Sequence, residues 1–388
     1  MKGLGEELLR LKDEGLYRWL RTVKGGQGPY IDIDGKKVLN LSSNNYLGLA
    51  SHPKVKEGFI NATKKYGAGA GASRLISGNI EIFEELEKKI AGFKGTETAL
   101  IFSTGYMANV GIISSLAGKD DLILSDKLNH ASIIDGCLLS RAAFKRFPHR
   151  DTKKLEELLK NSSGYGQKLI ITEGVFSMDG DIAPLPEIVN LSKKYSATLM
   201  LDEAHATGVL GKNGKGTMEH FGLKNGVDII MGTFGKALGV FGAYAAGTEE
   251  LREYLINKAR SQIFTTGLPP GVIGAVIQAL DIVEKESGLR EQLKENMAFF
   301  RKGLQELGFN TMNSETQIIP VLIGDSKVAM KMSEMLIEQG VFAQGIRPPT
   351  VPKGYARLRA TLMATHTRED LEKALDAFQK TGKELAII

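Results

Sequence analysis

A lysine and an Asp-x-x-His pair each follow an apolar run near the middle of this chain. Lys236 stands in MGTFGKALG after the run VDII, and Asp202 and His205 stand in DEAH after the run ATLML. If both runs are buried parallel strands, their carboxyl ends meet at one edge of a sheet, where ligands bind in doubly wound folds. The amine, the carboxylate and the imidazole would then face one ligand.

This combination of groups suits pyridoxal phosphate, whose aldehyde forms a Schiff base with a lysine and whose ring nitrogen pairs with a carboxylate. Small residues around Lys236 let the backbone approach a ligand closely. Thr233 offers a hydroxyl to a phosphate oxygen. The competing interpretation, a Walker A loop, requires G-x-x-x-x-G-K-[ST], whereas Ala237 follows this lysine and Gly232 lies too near it. The sequence therefore predicts a pyridoxal phosphate site.

The DEAH tetrapeptide also names a group of nucleic-acid NTPases, which gives a second class of function to consider. Such an enzyme needs a phosphate loop upstream, and no Walker A lysine precedes residue 202. Simpler structural roles are open as well. A buried aspartate at a strand end often caps the next helix, and a lone lysine after a strand is usually solvated.

Further polar groups follow other apolar runs at the same predicted edge of the sheet. They are the amides of Gly105 and Tyr106, the imidazole of His130, and the side chains of Glu173, Ser177 and Asp179. The first two begin a helix, and helix amides hold phosphate through hydrogen bonds and the helix dipole. An imidazole can stack on a flat aromatic ring. The convergence of these groups, rather than any single residue, supports the site.

Composition limits the class of protein. The 388 residues, 42% hydrophobic and 24% charged, predict a globular protein with a large core divided between two domains. Cys137 is the only cysteine, which excludes internal disulfides and Cys-rich zinc sites, and we predict no metal.

No apolar run approaches the roughly 20 residues that span a bilayer, and the first residues lack the apolar centre of a signal peptide. The net charge is +5, and the basic residues are interspersed with acidic ones rather than gathered in blocks. We therefore expect a cytoplasmic protein without nucleic-acid or membrane partners.

Strand and helix patterns alternate through the middle of the chain. The apolar runs are ALIFST (99–104), DLILSD (121–126), KLIITEGV (168–175), ATLMLDEAH (197–205), VDIIMGTF (227–234) and GAYAAG (242–247). Their lack of strict polar alternation is typical of strands covered on both faces. We predict an α/β domain over residues 46–270, with a mostly parallel sheet and helices on both of its faces.

The two ends of the chain predict a smaller α+β domain made from residues 1–45 and 271–388. Its predicted elements are a helix over 4–20, a hairpin in YIDIDGKKVLNL with Asp34-Gly35 at the turn, a helical stretch from about 270 to 308, strands over 316–324 and 355–362, and a final helix from 367.

Three arginines gather near the carboxyl end of the chain, in GIRPPTVPKGYARLRATL. They are Arg347, Arg357 and Arg359. The fixed fork of a guanidinium suits a substrate carboxylate. We expect at least one of the three to be purely structural.

Taken in order, the motifs SNNYLGL, NHAS, TEGVFSMDGD, DEAHATG, TFGKALG and IRPPTVP resemble those of the α-oxoamine synthases over essentially the whole chain. The resemblance implies the aspartate-aminotransferase-like fold, known as fold type I, and a pyridoxal phosphate enzyme that joins an amino acid to an acyl thioester with loss of CO₂. Asn45 replaces the aspartate of many members, and FTTGLPP lacks a serine that many have. Neither change touches the core chemistry.

The resemblance also implies roles for particular residues. Lys236 would carry the cofactor and act as the base, Asp202 would pair with the ring nitrogen, His205 and Ser177 would contact the ring oxygen, and His130 would stack on the ring. The implied phosphate contacts are Gly105, Tyr106 and Thr233, joined by Thr265 or Thr266 of a neighbouring subunit in a homodimer. The implied substrate contacts are Arg359, Arg18, Asn44, Thr350 and Arg347.

Within the family, IRPPTVP and GAGAGASRLISG most resemble members that condense L-alanine with a pimeloyl thioester in biotin biosynthesis. Members that join glycine to an acetyl thioester are the alternative, and some relatives accept both substrate sets. The acyl donor, coenzyme A or acyl carrier protein, is left open.

Overall fold

The computed structural model describes residues 3–388, which fold into two units. The larger unit contains Asn44–Ser177 and Asp181–Glu291, and the smaller contains the described residues up to Ser43, Met178–Gly180 and Gln292–Ile388. The larger unit thus continues past the predicted boundary at residue 270. The reason is a close helix crossing in which a Cβ on Gly274 would lie 2.5 Å from the carbonyl oxygen of Gly58.

The strands of the described chain are β1 (Val23–Lys24), β2 (Tyr30–Ile33), β3 (Lys36–Asn40), β4 (Thr98–Phe102), β5 (Leu122–Asp126), β6 (Ala143–Phe147), β7 (Lys168–Glu173), β8 (Thr198–Asp202), β9 (Ile229–Thr233), β10 (Ala243–Gly247), β11 (Ile318–Gly324), β12 (Val341–Phe342), β13 (Gln344–Ile346) and β14 (Ala356–Thr361).

The α-helices are α1 (Leu4–Asp13), α2 (Pro53–Tyr66), α3 (Glu81–Lys94), α4 (Gly105–Leu116), α5 (Ala131–Ser140), α6 (Thr152–Lys160), α7 (Leu185–Lys194), α8 (Thr217–His220), α9 (Glu249–Lys258), α10 (Arg260–Ile263), α11 (Pro270–Lys285), α12 (Gly288–Glu306), α13 (Ser326–Glu338) and α14 (Arg368–Glu384).

The larger unit contains a seven-stranded sheet in the order β4-β10-β9-β8-β7-β5-β6. The pairs β5–β6, β5–β7, β7–β8 and β8–β9 are parallel, and β10 runs antiparallel to both of its neighbours. The predicted mostly parallel sheet is therefore confirmed. Its two faces carry separate apolar clusters, one containing Ile171 and Met200 and the other Ile170 and Leu199, because successive side chains point to opposite faces.

Sequence patterns missed the edge strand β6. Lys145 and Arg146 interrupt the apolar pattern of AFKRF, and the strand pairs on one side only, with β5. An edge strand needs less apolar surface than a central one, so its sequence signal is weak.

The smaller unit contains two sheets, β1-β2-β3-β12 and β11-β14-β13. The predicted hairpin is present, and the positive φ angles of Asp34 (53°) and Gly35 (81°) are those of a type I′ turn. The strands predicted at 316–324 and 355–362 are confirmed as β11 and β14, whereas the short strands β12 and β13 were not predicted.

Two predicted helices differ from the structure. The first ends at Asp13 rather than residue 20, because Gly15 adopts a left-handed conformation (φ 67°) just beyond it. The stretch from 270 to 308 forms two helices, α11 and α12, with Glu286 and Ser287 between them. No helix within residues 3–388 is long and apolar enough to cross a membrane.

Candidate active site

A cavity of about 230 Å³ opens in the larger unit at the carboxyl ends of its parallel strands. Nine of the predicted site residues line it: Asn44, Gly105, Tyr106, His130, Glu173, Asp202, His205, Thr233 and Lys236. The sheet brings them together because β5, β7, β8 and β9 run in the same direction. In the register of the sheet, Asp202 pairs with Glu173 on one side and Met231 on the other.

Asp202 is held rigidly at the floor of the cavity. It is 3% exposed, and each of its carboxylate oxygens accepts one hydrogen bond. Oδ2 accepts from Asn109 Nδ2 at 2.9 Å, and Oδ1 accepts from the backbone N–H of Ala204 at 2.9 Å. A carboxylate fixed in this way can pair with a cationic ring nitrogen without reorganising.

His205 is fixed by the SNNYLGL segment. Its Nδ1 lies 2.7 Å from the hydroxyl of Tyr46, which also donates to Asn44 Oδ1 at 3.1 Å. Both Tyr46 and His205 are buried. Two motifs that are distant in sequence therefore support the same wall of the cavity.

Glu173 is a fully buried acid beside Asp202. Burial raises the pKa of Glu173 well above its usual range, and the neighbouring charge of Asp202 raises it further, although Lys236 and the backbone N–H of His130 act in the opposite direction. Its Oε1 has no hydrogen-bond partner among the described residues. Burial therefore favours the neutral form of Glu173 more than in an ordinary glutamate, because desolvation penalises the charge.

The beginning of α4 lines one part of the cavity. Thr104 caps this helix by accepting from Met107 N at 3.1 Å, which leaves the amides of Gly105 and Tyr106 at the first turn. A Cβ on Gly105 would lie 3.8 Å from the Cβ of Thr233, so the helix start and the β9 loop are adjacent.

The Thr233 hydroxyl is already engaged within its own loop. It donates to the carbonyl oxygen of Gly242 at 2.9 Å and accepts from Gly235 N at 3.2 Å. Donation from this hydroxyl to a phosphate therefore requires the proton to rotate away from Gly242.

Other predicted residues of the larger unit lie outside the lining of this cavity. Ser177 is buried and follows β7 by four residues. Thr266 forms a β-bridge with Ser73, and Thr265 adjoins it. Within one chain, neither threonine lines the cavity that contains Lys236.

The remaining predicted residues belong to the smaller unit. Arg18 donates to Thr350 Oγ1 at 3.4 Å, and Arg347 donates to the carbonyl oxygen of Tyr17 at 2.8 Å. Arg359 on β14 is buried.

Arg357 is the structural arginine of the three. It is 2% exposed, and its Nη1 donates to Asp179 Oδ1 at 3.0 Å and to the Met178 carbonyl oxygen at 3.1 Å. Asp179, predicted near the crevice, is not among the residues that line the cavity, and its carboxylate is held by this arginine within the smaller unit.

Two polar residues of the cavity wall were missed from the sequence, Asn109 and Ser132. Asn109 lies one helical turn after Gly105 on the largely apolar helix α4 and is 1% exposed. A lone amide on an apolar helix is the signal that could have found it, because buried polar groups need partners.

The set of groups in the cavity fits pyridoxal phosphate. It combines a primary amine, a fixed carboxylate, a buried carboxyl group with an unpartnered oxygen and a helix start, which match the aldehyde, ring nitrogen, ring oxygen and phosphate of that cofactor. Among residues 3–388, no group of three or more His, Cys, Asp or Glu side chains could hold a metal ion.

Comparisons with known proteins agree with this geometry. The family model for aminotransferase class I and II matches residues 36–378. The chain is 54% identical to the 8-amino-7-oxononanoate synthase of Citrifermentans bemidjiense, with both chains covered completely. It is 51% identical to that of Symbiobacterium thermophilum, over 99% of this chain and 98% of the relative.

Solved structures show the same fold. A serine palmitoyltransferase variant from S. paucimobilis with a bound pyridoxal phosphate–myriocin aldimine superposes with a TM-score of 0.95 at 34% identity, over 100% of this chain and 98% of that one. An 8-amino-7-oxononanoate synthase from Francisella tularensis gives a TM-score of 0.79 at 32% identity, over 90% and 99%. The chain belongs to the class I and II aminotransferase family, in its α-oxoamine synthase branch.

Proposed function

We propose that this chain is a pyridoxal phosphate-dependent acyltransferase that condenses L-alanine with a pimeloyl thioester. The products are 8-amino-7-oxononanoate, CO₂ and the free thiol carrier, a step of biotin biosynthesis. The observation that carries the proposal is 54% identity over the full length of 8-amino-7-oxononanoate synthases. Its support in the structure is the cavity that unites Lys236 with Asp202. The nucleic-acid NTPase alternative is wrong, because the DEAH residues belong to an aminotransferase-family site.

Lys236 and Asp202 perform the central steps. When bound, pyridoxal phosphate supplies an electron sink that stabilises a carbanion at the amino-acid Cα. The Lys236 amine would hold the cofactor aldehyde, and the same amine would be the base for the amino-acid Cα proton. Asp202 would keep the ring nitrogen protonated, and the hydrogen bonds from Asn109 and Ala204 hold its carboxylate in place.

The surrounding residues bind and orient the reactants. His130 would stack on the ring, His205 and Ser177 would contact its oxygen, and the Glu173 carboxyl group would lie beside it. The Gly105 and Tyr106 amides and the Thr233 hydroxyl would hold the phosphate.

The proposal extends to the smaller unit and to a second subunit. Arg359 binds the substrate carboxylate, and Arg18, Asn44, Thr350 and Arg347 contact the substrates. Thr265 or Thr266 reaches the phosphate of the neighbouring site in a homodimer. The acyl donor is carried by coenzyme A or acyl carrier protein, and a cytoplasmic location stays a prediction.

The test of the site replaces Lys236 with alanine and uses Lys212→Ala, a change of an exposed lysine, as the matched control. We expect Lys236→Ala to lose the borohydride-reducible visible absorbance and to reduce turnover to less than about one-thousandth. The Lys212→Ala control should keep both the visible absorbance and the turnover of the wild-type protein. Full turnover by Lys236→Ala would refute the site.

The substrate assignment is tested by thiol release. Alanine with a pimeloyl thioester should react with a higher kcat/KM than glycine with an acetyl thioester. The opposite order would assign the chain to the glycine-using alternative.

A further inference from the structure

A continuous series of hydrogen bonds joins Asp202 to His130. Asn109 Nδ2 donates to Asp202 Oδ2 at 2.9 Å and lies 3.0 Å from Ser132 Oγ. Ser132 Oγ lies 2.8 Å from His130 Nδ1, and the backbone N–H of Ser132 donates to the same nitrogen at 3.2 Å. Asn109 and Ser132 are each 1% exposed.

The direction of every bond follows from its fixed ends. A carboxylate oxygen only accepts, so the amide nitrogen of Asn109 must face Asp202, and the same nitrogen donates to Ser132 Oγ. A backbone N–H only donates, so His130 Nδ1 must carry a lone pair. The Ser132 hydroxyl therefore accepts from Asn109 and donates its own hydrogen to His130 Nδ1.

This direction determines the tautomer of His130. With a lone pair on Nδ1, the neutral imidazole carries its proton on Nε2. The charged groups that act on the ring are Asp202, Lys236 and Asp135. Desolvation lowers the pKa of His130, with a smaller contribution from Lys236, while the two carboxylates raise it; the net direction is downward.

We propose that Asn109 and Ser132 are positioning residues that hold His130 as the Nε2–H tautomer and tie its ring to Asp202. His130 thereby presents a hydrogen-bond donor at Nε2, rather than an acceptor. The use of that donor rests on the proposed function, in which the ring of His130 covers the cofactor and the substrate oxygens lie nearby. The tautomer itself does not depend on cofactor or substrate.

The test is ¹⁵N NMR of the full-length protein carrying ¹⁵N-labelled histidine, with and without pyridoxal phosphate. Signals of His130 are identified by their loss in His130→Asn. We expect an unprotonated Nδ1 and a protonated Nε2 in the wild-type protein at neutral pH. A wild-type His130 with its proton on Nδ1 would overturn the proposal. Because this measurement uses the wild-type protein, it does not depend on the folding of any Asn109 or Ser132 variant.

Ser132→Ala and Asn109→Leu then test the series of hydrogen bonds that joins Asp202 to His130. Loss of the Ser132 hydroxyl removes the stronger donor to Nδ1 and should raise the pKa of His130 by about 0.5 to 1. Asn109→Leu should shift it in the same direction by less, because the serine hydroxyl survives but loses its orientation. The control is Ser140→Ala on the same helix, whose hydroxyl bonds the Cys137 carbonyl oxygen and should leave His130 unchanged.

Turnover gives a second readout. We expect kcat in Ser132→Ala to fall by about tenfold while bound cofactor absorbs normally. An unchanged pKa of His130 in both Ser132→Ala and Asn109→Leu would refute the positioning role of these residues even if turnover falls. Failure of the proposed function would look different, since the wild-type protein would lack cofactor absorbance or thiol release while its His130 tautomer stayed as assigned.

Discussion

Two histidines of the larger unit show opposite behaviour. His130 accepts at Nδ1, and its pKa is lowered. His149 lies between two buried carboxylates, with Nδ1 3.0 Å from Asp126 Oδ1 and Nε2 2.8 Å from Asp181 Oδ2. Burial opposes its charge, but these hydrogen bonds and charges raise the pKa of His149 to about 9. The partners of the ring nitrogens therefore decide the charge of each ring.

His149 joins segments that support both sides of the candidate site. Asp126 ends β5, four residues before His130, and also accepts from the backbone N–H groups of Leu128 and Arg150 at 2.9 Å. Asp181 follows the Ser177 segment and also pairs with Arg150. The His149 ring packs edge-on against Phe176 at 4.4 Å. A cation thus stabilises the scaffold, while His130, whose pKa is lowered, lines the cavity.

The largest expected effect comes from Asp126→Asn. The amide cannot accept at both positions, so it leaves a buried N–H unpaired and removes one of the two charges around His149. We expect the free energy of unfolding to fall by about 3 kcal/mol, measured by urea denaturation followed by circular dichroism. A loss below 0.5 kcal/mol would show that His149 is stable without this carboxylate.

A smaller, pH-dependent effect is expected from His149→Gln. Since the folded pKa of about 9 lies above the unfolded value of about 6.5, protonation stabilises the folded state. That contribution is complete below about pH 6.5 and is lost as the pH rises through 9. We expect the variant to be less stable than the wild type by about 2 kcal/mol at pH 6.5, and the difference to shrink steadily towards pH 9.5.

The measurement compares urea unfolding of the two proteins across this pH range, so that the other titrating groups cancel. A stability difference that does not change with pH would mean that His149 is neutral in the folded protein, like His130.

The smallest effect on stability is expected from His130→Asn. Asparagine keeps an acceptor at the N-cap of α5, where His130 Nδ1 now accepts from Ser132 N. We expect the free energy of unfolding to change by less than about 0.5 kcal/mol at any pH between 6.5 and 9, while turnover falls strongly. A pH-dependent loss of stability would remove the contrast between the two histidines.

Sequence patterns predicted the central elements of the fold well. The runs that became β4, β5, β7, β8, β9 and β10 are apolar enough to be recognised because both faces of the sheet are covered. The patterns failed where a strand lies at an edge, as for β6, or is very short, as for β12 and β13. The predicted length of α1 was too great, because its amphipathic pattern continues past the left-handed turn at Gly15.

The residues of the candidate site also fall into those that the sequence predicted and those that it did not. Residues in motifs at strand ends, such as Lys236 and Asp202, were predictable because parallel strands place their carboxyl ends together. Asn109 was not, since a single amide has no motif until a partner from another element faces it, and Ser132 was overlooked although it ends the NHAS motif. The pairing of Asp179 with Arg357 was not predictable either, because the two residues lie 178 positions apart in sequence.

The amino-acid order alone determined the family, the succession of strands and helices, and the types of group that meet at the sheet edge, because these depend on local pattern and on motif spacing. Only the tertiary structure decided which nitrogen of His130 carries the proton, which histidine is charged and which arginine is structural. Those properties depend on distances of about 3 Å between groups distant in sequence, and hydrogen bonding at that range outweighs the intrinsic preference of any side chain.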